Sequence, residues 1–405
     1  MNQVRRLLPD FGTTSSPTSV ERLKERGFAE ALRKVFAMSG EDIISQITES
    51  GIKGRGGAAF PTGLKWSSVY KAPGETKYVV MNADESELGT FKDRVLLEED
   101  PLGALVGVLI AAHAVGAKKA FCYIRGEYRD VENRMAEALD TLRSQGWVGP
   151  DRVDVQIRRG AGAYIAGEET ALFNSIEGKR PEPRVKPPFP TIKGLWASPT
   201  LIQNVETLAN VAVLFAHDTE WFKQYGTKET IGTKLVAISG HVKQPGVYEV
   251  PFGMSLTDIL NAPDLGGGIA GSGRLGAMLL GGAAGTFLTP EEIAKSSLDY
   301  ASLGAVGANI GSGAVMVFDD TVDLVGVTTR LARFFAEESC GQCVPCRVGT
   351  QRVVELIEND GIQSRPQDLR ELGLAMRDAS ICGLGQTAPL ALLSLLDRPE
   401  LRQHA

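Results

Sequence analysis

The sequence predicts an α/β domain built on a parallel sheet, followed by a small α+β domain and a terminal helical bundle. Strand-like and helix-like patterns alternate through the first part of the chain, which is typical of a parallel sheet with helices on both faces. The pattern then becomes hairpin-like, and the last part is helical with short connections. The 405 residues have the length of two to three domains of roughly 150 residues each. We expect their limits at 1–233, 234–320 and 321–405.

The apolar periodicity of the first domain predicts its elements in order. Helices are expected at 19–37, 40–50, 101–116, 127–145, 168–177 and 203–215, and strands at 78–82, 119–124 and 153–159. Two glycine-rich segments, 51–66 and 160–167, are expected to be loops. The proline-rich segment 180–190 is expected to be an extended surface segment, because proline interrupts both helices and central strands.

The remaining elements are predicted in the same way. A hairpin begins at residue 234, and a short helix with two strand candidates at 277–282 and 314–318 completes the second domain. The bundle is expected to contain four helices, at 323–338, 346–358, 366–378 and 386–396.

The composition excludes several classes of protein. A hydrophobic content of 43% with 23% charged residues excludes wholesale disorder. The net charge of −6 gives no basic field for nucleic acid. The longest mainly apolar stretch, 102–117, is shorter than the roughly 20 residues of a spanning helix. Since the N-terminal residues lack a signal-like pattern, we expect a soluble intracellular protein that can still lie peripherally on a membrane complex.

The cysteines indicate a metal centre. Cys340, Cys343 and Cys346 form a CxxCxxC pattern, and Cys382 follows in SICGLG. This spacing lets one tight loop direct three thiolates at one point, while a remote fourth thiolate closes the site. Four thiolates suit a [4Fe–4S] cluster, and zinc is the alternative because Cys₄ sites also bind zinc. The spacing favours iron–sulfur, since structural zinc more often uses two separated CxxC pairs. The remaining Cys122 is expected to be a small buried hydrophobe.

The two glycine-rich loops can approach a phosphate or a flat ring closely with their backbone N–H groups. The first runs from Gly54 to Gly63 with Lys65 nearby, and the second, from Gly160 to Gly167, directly precedes a predicted helix. A helix N-terminus behind glycines favours an anion. Neither loop has the GxGxxG pattern followed by an acid about 20 residues later, so a standard Rossmann dinucleotide site is not predicted.

Acidic and aromatic residues flank these loops. Their usual roles would be solvated charge and packing. Their placement beside the glycines gives the alternative that the acids bind sugar hydroxyls or a flavin edge and that the aromatics stack on a ring. These residues are Asp84, Glu85, Glu87, Glu168, Glu169, Phe60 and Phe189. The four histidines are scattered away from the motifs, so no catalytic acid–base side chain is predicted.

Six motifs occur in a specific order: GRGGAAFPTGLKW, NADESELGTFKDR, GAGAYIAGEETAL, KPPFP, NVETLANV and ESCGQCVPCRVGT. On these motifs the sequence resembles the NADH- and FMN-binding flavoprotein subunits of respiratory complex I, a family that includes the diaphorases of NAD-linked hydrogenases and formate dehydrogenases. The resemblance covers roughly residues 40–400. It implies a Rossmann-like FMN domain, a ubiquitin-like (SLBB-type) domain and a bundle that holds a [4Fe–4S] cluster on Cys340, Cys343, Cys346 and Cys382.

The resemblance also implies the residues that bind FMN and NADH. The flavin ligands would be Gly54, Arg55, Gly56, Gly57, Lys65, Asn82, Asp84, Glu85, Tyr164, Gly167, Glu168, Glu169, Asn204 and Thr207. NADH would stack against FMN and Phe60, with Glu87, Lys186 and Phe189 nearby. Glu169 matches an acid that faces the adenosine ribose, where it would repel a 2′-phosphate and favour NADH over NADPH.

Three residues depart from the family's pattern. Ser68 stands where some relatives carry a second aromatic against adenine, Gln203 replaces the first residue of an Asn-Asn pair, and Leu88 replaces a proline. They bear on the affinity for NADH, on a flavin contact and on loop rigidity, respectively.

The resulting functional expectation is an NADH dehydrogenase subunit of a complex-I-type enzyme that passes hydride electrons from FMN to the cluster one at a time. Its partners would be a thioredoxin-like [2Fe–2S] subunit and a multi-cluster iron–sulfur subunit, on the cytoplasmic face of the cell membrane. The alternatives are a diaphorase of a soluble hydrogenase or formate dehydrogenase, and a degenerate structural subunit that does not bind NADH.

Overall fold

The computed structural model describes residues 3–10 and 12–402. Its first part contains α1 (Val20–Glu25), α2 (Phe28–Phe36), α3 (Gly40–Ser50), α4 (Thr62–Lys71), β1 (Tyr78–Ala83), α5 (Lys92–Glu99), α6 (Pro101–Val115), β2 (Lys119–Ile124), α7 (Arg129–Ser144), β3 (Asp154–Arg159), α8 (Glu169–Ile176), β4 (Thr200–Asn204), α9 (Val205–Ala216) and α10 (Thr219–Lys223). Short 3₁₀ helices cover Tyr164–Gly167 and Leu195–Ala197. The four strands form one parallel sheet in the order β3-β2-β1-β4.

Helices cover both faces of this sheet, as predicted. Side chains alternate along β1, so that Val79 and Met81 join the cluster formed with α6 and α9, whereas Val80 joins Leu172 and Phe173 of α8. The sheet is therefore buried on both sides, and only its strand ends are open to a ligand.

Glycine explains two differences from the predicted elements. The predicted helix 19–37 is broken at Gly27, whose φ of +69° suits glycine. The segment 51–66, expected to be a loop, runs into α4. A Cβ at Gly63 would lie 2.2 Å from the hydroxyl oxygen of Thr48 on α3, so the glycine permits this close helix contact. Tertiary packing, and not helix propensity, therefore determines that α4 forms here.

β4 and α5 are also absent from the predicted elements. The predicted helix 203–215 begins only at Val205, because the residues before it form β4 beside β1. α5 lies within the polar segment that follows β1. Since β2 and β3 lie on one side of β1 and β4 on the other, the carboxyl ends of β1 and β4 flank a topological switch point, where α/β proteins bind ligands.

The second part is a mixed sheet with short helices. It contains β5 (Thr233–Gly240), β6 (Gly246–Pro251), α11 (Leu256–Asn261), β7 (Leu275–Leu280), β8 (Thr286–Leu288), α12 (Pro290–Lys295), α13 (Tyr300–Ala305) and β9 (Ala314–Asp319). The strand order is β6-β5-β9-β7-β8, and only the β5–β9 pairing is parallel. This agrees with the predicted α+β class.

The third part is helical. It contains α14 (Leu324–Glu338), α15 (Val344–Asp360), α16 (Pro366–Ala379), α17 (Gly383–Thr387) and α18 (Leu390–Asp397), followed by a 3₁₀ helix at Pro399–Arg402. The predicted helix 386–396 is in fact two helices, with Pro389 between them.

α6 is the most apolar long helix, and every residue in it except His113 is buried. It packs against α9 and the parallel sheet, as expected for a core helix. Within residues 3–10 and 12–402, no helix combines the length and the apolarity needed to cross a bilayer.

Candidate functional site

The carboxyl ends of β1 and β4 bring two predicted flavin ligands together. Asn82 and Asn204 are paired in register across these strands. The side-chain amide of Asn82 donates to the carbonyl oxygen of Gly167 at 2.9 Å, and its Oδ1 accepts the N–H of Asp84 at 3.1 Å. One asparagine therefore fixes the strand end, the following loop and the second glycine loop.

Asp84 has a carboxylate that is largely enclosed by the two loops. Burial raises the pKa of Asp84 to about 7, although Ser86 donates a hydrogen bond to it at 2.6 Å and Arg125 attracts its charged form. A Cβ at Gly160 or Gly167 would lie 3.2–3.3 Å from the Asp84 carboxylate. These glycines let two loops close over the acid.

Two buried polar atoms at these strand ends have no hydrogen-bond partner among the described residues: Oδ1 of Asp84 and Nε2 of Gln203. Buried polar atoms are normally paired. One acceptor and one donor left at the switch point fit a polar ligand such as FMN. Gln203, a departure from the family's pattern, thus retains a donor at the site.

The first glycine loop packs over β4. A Cβ at Gly56 would lie 3.0 Å from the Cβ of Asn204, so bulk is excluded there. The backbone N–H of Arg55 donates to the Thr207 hydroxyl at 2.8 Å. The Arg55 guanidinium turns away from the loop, because it donates to the carbonyls of Lys53 and Ile231 at 2.9 Å each. Arg55 therefore holds the loop in place, and its side-chain charge is not directed at the loop.

Opposite charges connect the two loops to the proline-rich segment. Lys186 lies 3.0 Å from Glu168 and 2.7 Å from Glu169, while Lys65 lies 3.5 Å from Glu169. Although burial opposes ionisation, the two lysines hold the pKa of Glu169 below its ordinary value. Glu168 also accepts the N–H groups of Thr170 and Ala171 and so caps α8.

The aromatic residues of the predicted NADH site are unusually exposed. Phe60 is 48% and Phe189 is 57% exposed. Aromatic rings that serve packing are normally buried, so two open faces beside the charged cluster fit stacking on a ring. The Ser68 hydroxyl donates to the carbonyl oxygen of Leu64 within α4, and Leu88 is 40% exposed.

Two predicted acids have other contacts. Glu85 accepts the backbone N–H groups of Asp93 and Arg94 at 3.0 and 2.9 Å, so it serves the first turn of α5. Glu87 accepts the N–H of Ala284 from the second sheet at 2.9 Å, and burial raises the pKa of Glu87 to about 7. The site is thus closed on one side by the loop that follows β7.

A buried charge network behind the site was not foreseen from the sequence. Glu206 lies 2.9 Å from Lys92 and 2.6 Å from Lys234, and all three are at most 1% exposed. Lys92 also pairs with Asp93 at 2.6 Å, and Asp93 accepts from Asn204 at 2.6 Å. The sequence motifs FKDR and NVETL contain most of these residues, but only the fold shows that their side chains meet.

This network has two unequal cations. Although burial opposes its charged form, Asp93 and Glu206 raise the pKa of Lys92 above its ordinary value. Burial instead dominates at Lys234 and lowers its pKa to about 7, against the attraction of Glu206. The two lysines keep the pKa of Glu206 low in spite of burial. We therefore treat Glu206 as ionised.

The four predicted metal ligands meet in the third part. Cys346 and Cys382 are buried, and Cys340 and Cys343 pack against the same hydrophobic cluster. Burial raises the pKa of Cys382 to about 11, and it also raises that of Cys346, whose sulfur lies 3.2 Å from the Ser339 hydroxyl. Such thiols are ionised only by binding a metal.

The donor set consists of four thiols that lie in or against one hydrophobic cluster. Four thiolates are the ligands of a [4Fe–4S] cluster, so the residues present fit that group. Cys122 is fully buried in β2, and burial raises its pKa to about 12.

Comparison with known proteins agrees with both sites. The family models of the Nuo51 FMN-binding domain, the SLBB domain and the NADH-ubiquinone oxidoreductase-F iron-sulfur binding region match residues 47–213, 235–280 and 326–404. The F 2 subunit of the NADH-quinone oxidoreductase of Rhizobium meliloti (strain 1021) is 41% identical over 91% of this chain and 90% of its own length. This chain belongs to the family of NADH-quinone oxidoreductase F subunits. The fold class and the FMN and iron–sulfur cofactors predicted from the sequence are thereby confirmed.

Members of hydrogenase complexes are similar as well. The NADP-reducing hydrogenase subunit HndC of Solidesulfovibrio fructosivorans is 38% identical over 92% of this chain and 77% of its own length. The crystal structure of an NAD⁺-reducing [NiFe]-hydrogenase in the H₂-reduced state superposes with a TM-score of 0.83 at 38% identity over 93% of this chain. This chain spans 65% of the length of that hydrogenase chain. The family thus serves in multi-subunit complexes.

Proposed function

We propose that this chain is the NADH-oxidising flavoprotein subunit of a complex-I-type NADH-quinone oxidoreductase. The single observation that carries the proposal is that the second glycine loop, through Ile165 and Tyr164, and the four cysteines lie in or against one hydrophobic cluster. Stepwise electron transfer needs a flavin site and a cluster site in the same part of the molecule.

FMN supplies a two-electron acceptor for hydride, and a [4Fe–4S] cluster supplies a one-electron acceptor. The chain's residues bind and orient these groups. Lys65 would supply a cation near the first glycine loop, and Asn82 and Asp84 would supply polar contacts at the carboxyl end of β1. The backbone of Gly54–Gly57 would come close to the flavin. The proposed flavin ligands are Gly54, Arg55, Gly56, Gly57, Lys65, Asn82, Asp84, Glu85, Tyr164, Gly167, Glu168, Glu169, Asn204 and Thr207.

The NADH site is proposed at the open side of the same crevice. Phe60 and Phe189 offer exposed rings, and Glu87 and Lys186 are the charged residues that we propose for the same site. Glu169, held ionised by Lys65 and Lys186, would repel a 2′-phosphate and thus favour NADH. A relative named as NADP-reducing makes this preference worth direct measurement.

The partners and the location are proposals of the same kind. We propose a thioredoxin-like [2Fe–2S] subunit and a multi-cluster iron–sulfur subunit as electron acceptors, with the complex on the cytoplasmic face of the cell membrane. We place the domain limits at 233/234 and 320/321: the second lies in the gap between β9 and α14, whereas the first falls one residue inside β5, so the gap between α10 and β5 puts this limit slightly earlier.

A second candidate is the diaphorase subunit of an NAD-linked hydrogenase, which the TM-score of 0.83 to such an enzyme favours equally well at the level of this chain. Neighbouring subunits decide between the two. Purification of the native complex, followed by assays for quinone reduction and for hydrogenase or formate dehydrogenase activity, separates them.

The proposal is tested on the full chain loaded with FMN, iron and sulfide. We expect one flavin and four irons per chain and NADH:ferricyanide turnover. Bound FMN with no turnover would favour a degenerate structural subunit, and a colourless chain carrying zinc would overturn the proposal.

A further inference from the structure

Two hydrogen bonds join residues 164 and 180 of the first part of the chain to the end of α14 and to the cysteine loop that follows it. The carboxylate of Glu338, the last residue of α14, accepts the backbone N–H of Tyr164 at 2.8 Å across 174 positions of sequence. The guanidinium of Arg180 donates to the carbonyl oxygen of Cys340 at 3.0 Å. Both bonds connect the parallel-sheet part of the chain to the helical bundle.

The Glu338 bond meets a specific need of the loop. Tyr164 is the first residue of the 3₁₀ helix Tyr164–Gly167, and its N–H has no partner within that helix. No side chain from Ala163 caps this turn. A bond from an N–H to an ionised carboxylate is charge-assisted and therefore among the stronger hydrogen bonds.

Aromatic packing directs the same contact. The Tyr164 ring lies 5.3 Å from the Phe334 ring and 6.2 Å from the Phe335 ring, both on α14 one turn before Glu338. The two phenylalanine rings pack edge to face at 5.3 Å. The end of α14 thus holds the loop through its backbone and its side chain, just before the chain enters the CxxCxxC segment at Cys340.

We propose that Glu338 is a positioning residue that holds the second glycine loop against the cysteine loop and so sets the separation between the flavin site and the cluster site. This role rests on the proposed function, because it concerns electron transfer between those two sites. The contact of Glu338 that carries this role is its hydrogen bond from the N–H of Tyr164. Glu338 acts through Tyr164, with Arg180 as the second connection.

The hydrogen bond is tested first on the cofactor-free full chain by amide hydrogen exchange in residues 161–168. Loss of a charge-assisted bond of about 1.5–3 kcal/mol predicts that Glu338→Ala speeds exchange at Tyr164 roughly 10- to 100-fold. Glu338→Gln keeps a carbonyl acceptor but loses the charge, so its rate should lie between those of the parent and Glu338→Ala. Glu337→Ala, an exposed neighbour on the same helix, is the matched control and should change nothing.

Electron transfer is then followed in the loaded chain by rapid mixing with NADH. We expect Glu338→Ala to leave flavin bleaching unchanged and to slow the appearance of the reduced cluster's EPR signal several-fold, because the rate of electron transfer falls as the two centres move apart. Arg180→Ala, at a side chain 72% exposed, should slow the same step without endangering the fold.

The outcomes discriminate clearly. An unchanged rate of amide exchange in Glu338→Ala overturns the proposal that Glu338 holds the second glycine loop. Faster exchange with an unchanged rate of cluster reduction overturns the proposal that Glu338 sets the separation between the flavin site and the cluster site. Equal damage by Glu338→Gln and Glu338→Ala would show that the side-chain acceptor does not hold the N–H of Tyr164, which also overturns the proposal. Absence of flavin bleaching by NADH in the parent chain would instead refute the proposed function and leave the exchange result standing.

Discussion

Glu206 is the residue whose replacement tests the buried network most directly. Its carboxylate is shared by Lys92 and Lys234 and also accepts the N–H of Leu235 at 2.8 Å. Glu206→Gln keeps the shape and removes the charge, so Lys92 is left with Asp93 alone and Lys234 is left without its carboxylate partner. Removing one partner from a buried ion pair costs roughly 3–5 kcal/mol, because the remaining charge is desolvated without compensation.

The matched variants separate this loss from a general effect of mutation. Lys234→Met leaves Glu206 paired with Lys92 and should cost less than Glu206→Gln. The double variant Glu206→Gln/Lys234→Met removes both members of one pair, and replacing a buried pair by apolar groups is often close to neutral. We therefore expect the double variant to be more stable than Glu206→Gln alone.

The assay is thermal unfolding of the full chain followed by tryptophan fluorescence. A loss of about 3–5 kcal/mol corresponds to a fall in midpoint of roughly 6–20 °C for a unit of this size. Because the pKa of Lys234 is already lowered to about 7 and falls further without Glu206, the deficit should be larger at about pH 6 than at about pH 8. Equal unfolding midpoints for Glu206→Gln and the double variant would refute the pairing of Glu206 with Lys234.

Three further predictions concern the cofactor sites. Cys343→Ala should remove the visible absorbance of the cluster while FMN remains extractable, whereas Cys122→Ala should keep both; unchanged iron in Cys343→Ala would contradict the ligand set. Glu169→Gln should raise the use of NADPH relative to NADH, because it removes the charge that repels a 2′-phosphate; an unchanged ratio of kcat/KM values would exclude that role. Burial raises the pKa of Asp84 from 3.8 to about 7, so its contribution to stability is complete below pH 3.8 and is lost as the pH rises through about 7. Asp84→Asn should abolish this pH-dependent loss of stability, which is up to about 4 kcal/mol at neutral pH. The measurement is the unfolding midpoint of the cofactor-free chain at a series of pH values, and the same variant should weaken FMN binding.

The sequence predicts the periodic elements well and the packing-dependent ones poorly. β1, β2 and β3 follow from short apolar runs, whereas β4 is read as the start of a helix because its pairing with β1 is a long-range contact. α4 is missed because Gly63 signals a loop locally but serves a close helix contact.

The same division holds for the site. Motifs place Asn82 and Asp84 at a strand end, where the structure has them. They do not reveal the supporting contacts, which only the fold gives: Glu85 also accepts N–H groups of α5, and the Arg55 guanidinium donates to backbone carbonyls. Lys92 and Lys234 carry no local signal, since only the fold brings them to one carboxylate.

The bond from Ala284 to Glu87 has a consequence for attempts to make a minimal flavoprotein from this chain. A fragment that stops before the second sheet would lose the loop that covers this acid and would open one wall of the crevice to water. The pKa of Glu87 would then return toward that of a free glutamate. A truncated protein would therefore present an acid of different pKa at the entrance of the proposed nucleotide site. Such a truncation would have to keep residues well past the first sheet to preserve the chemistry.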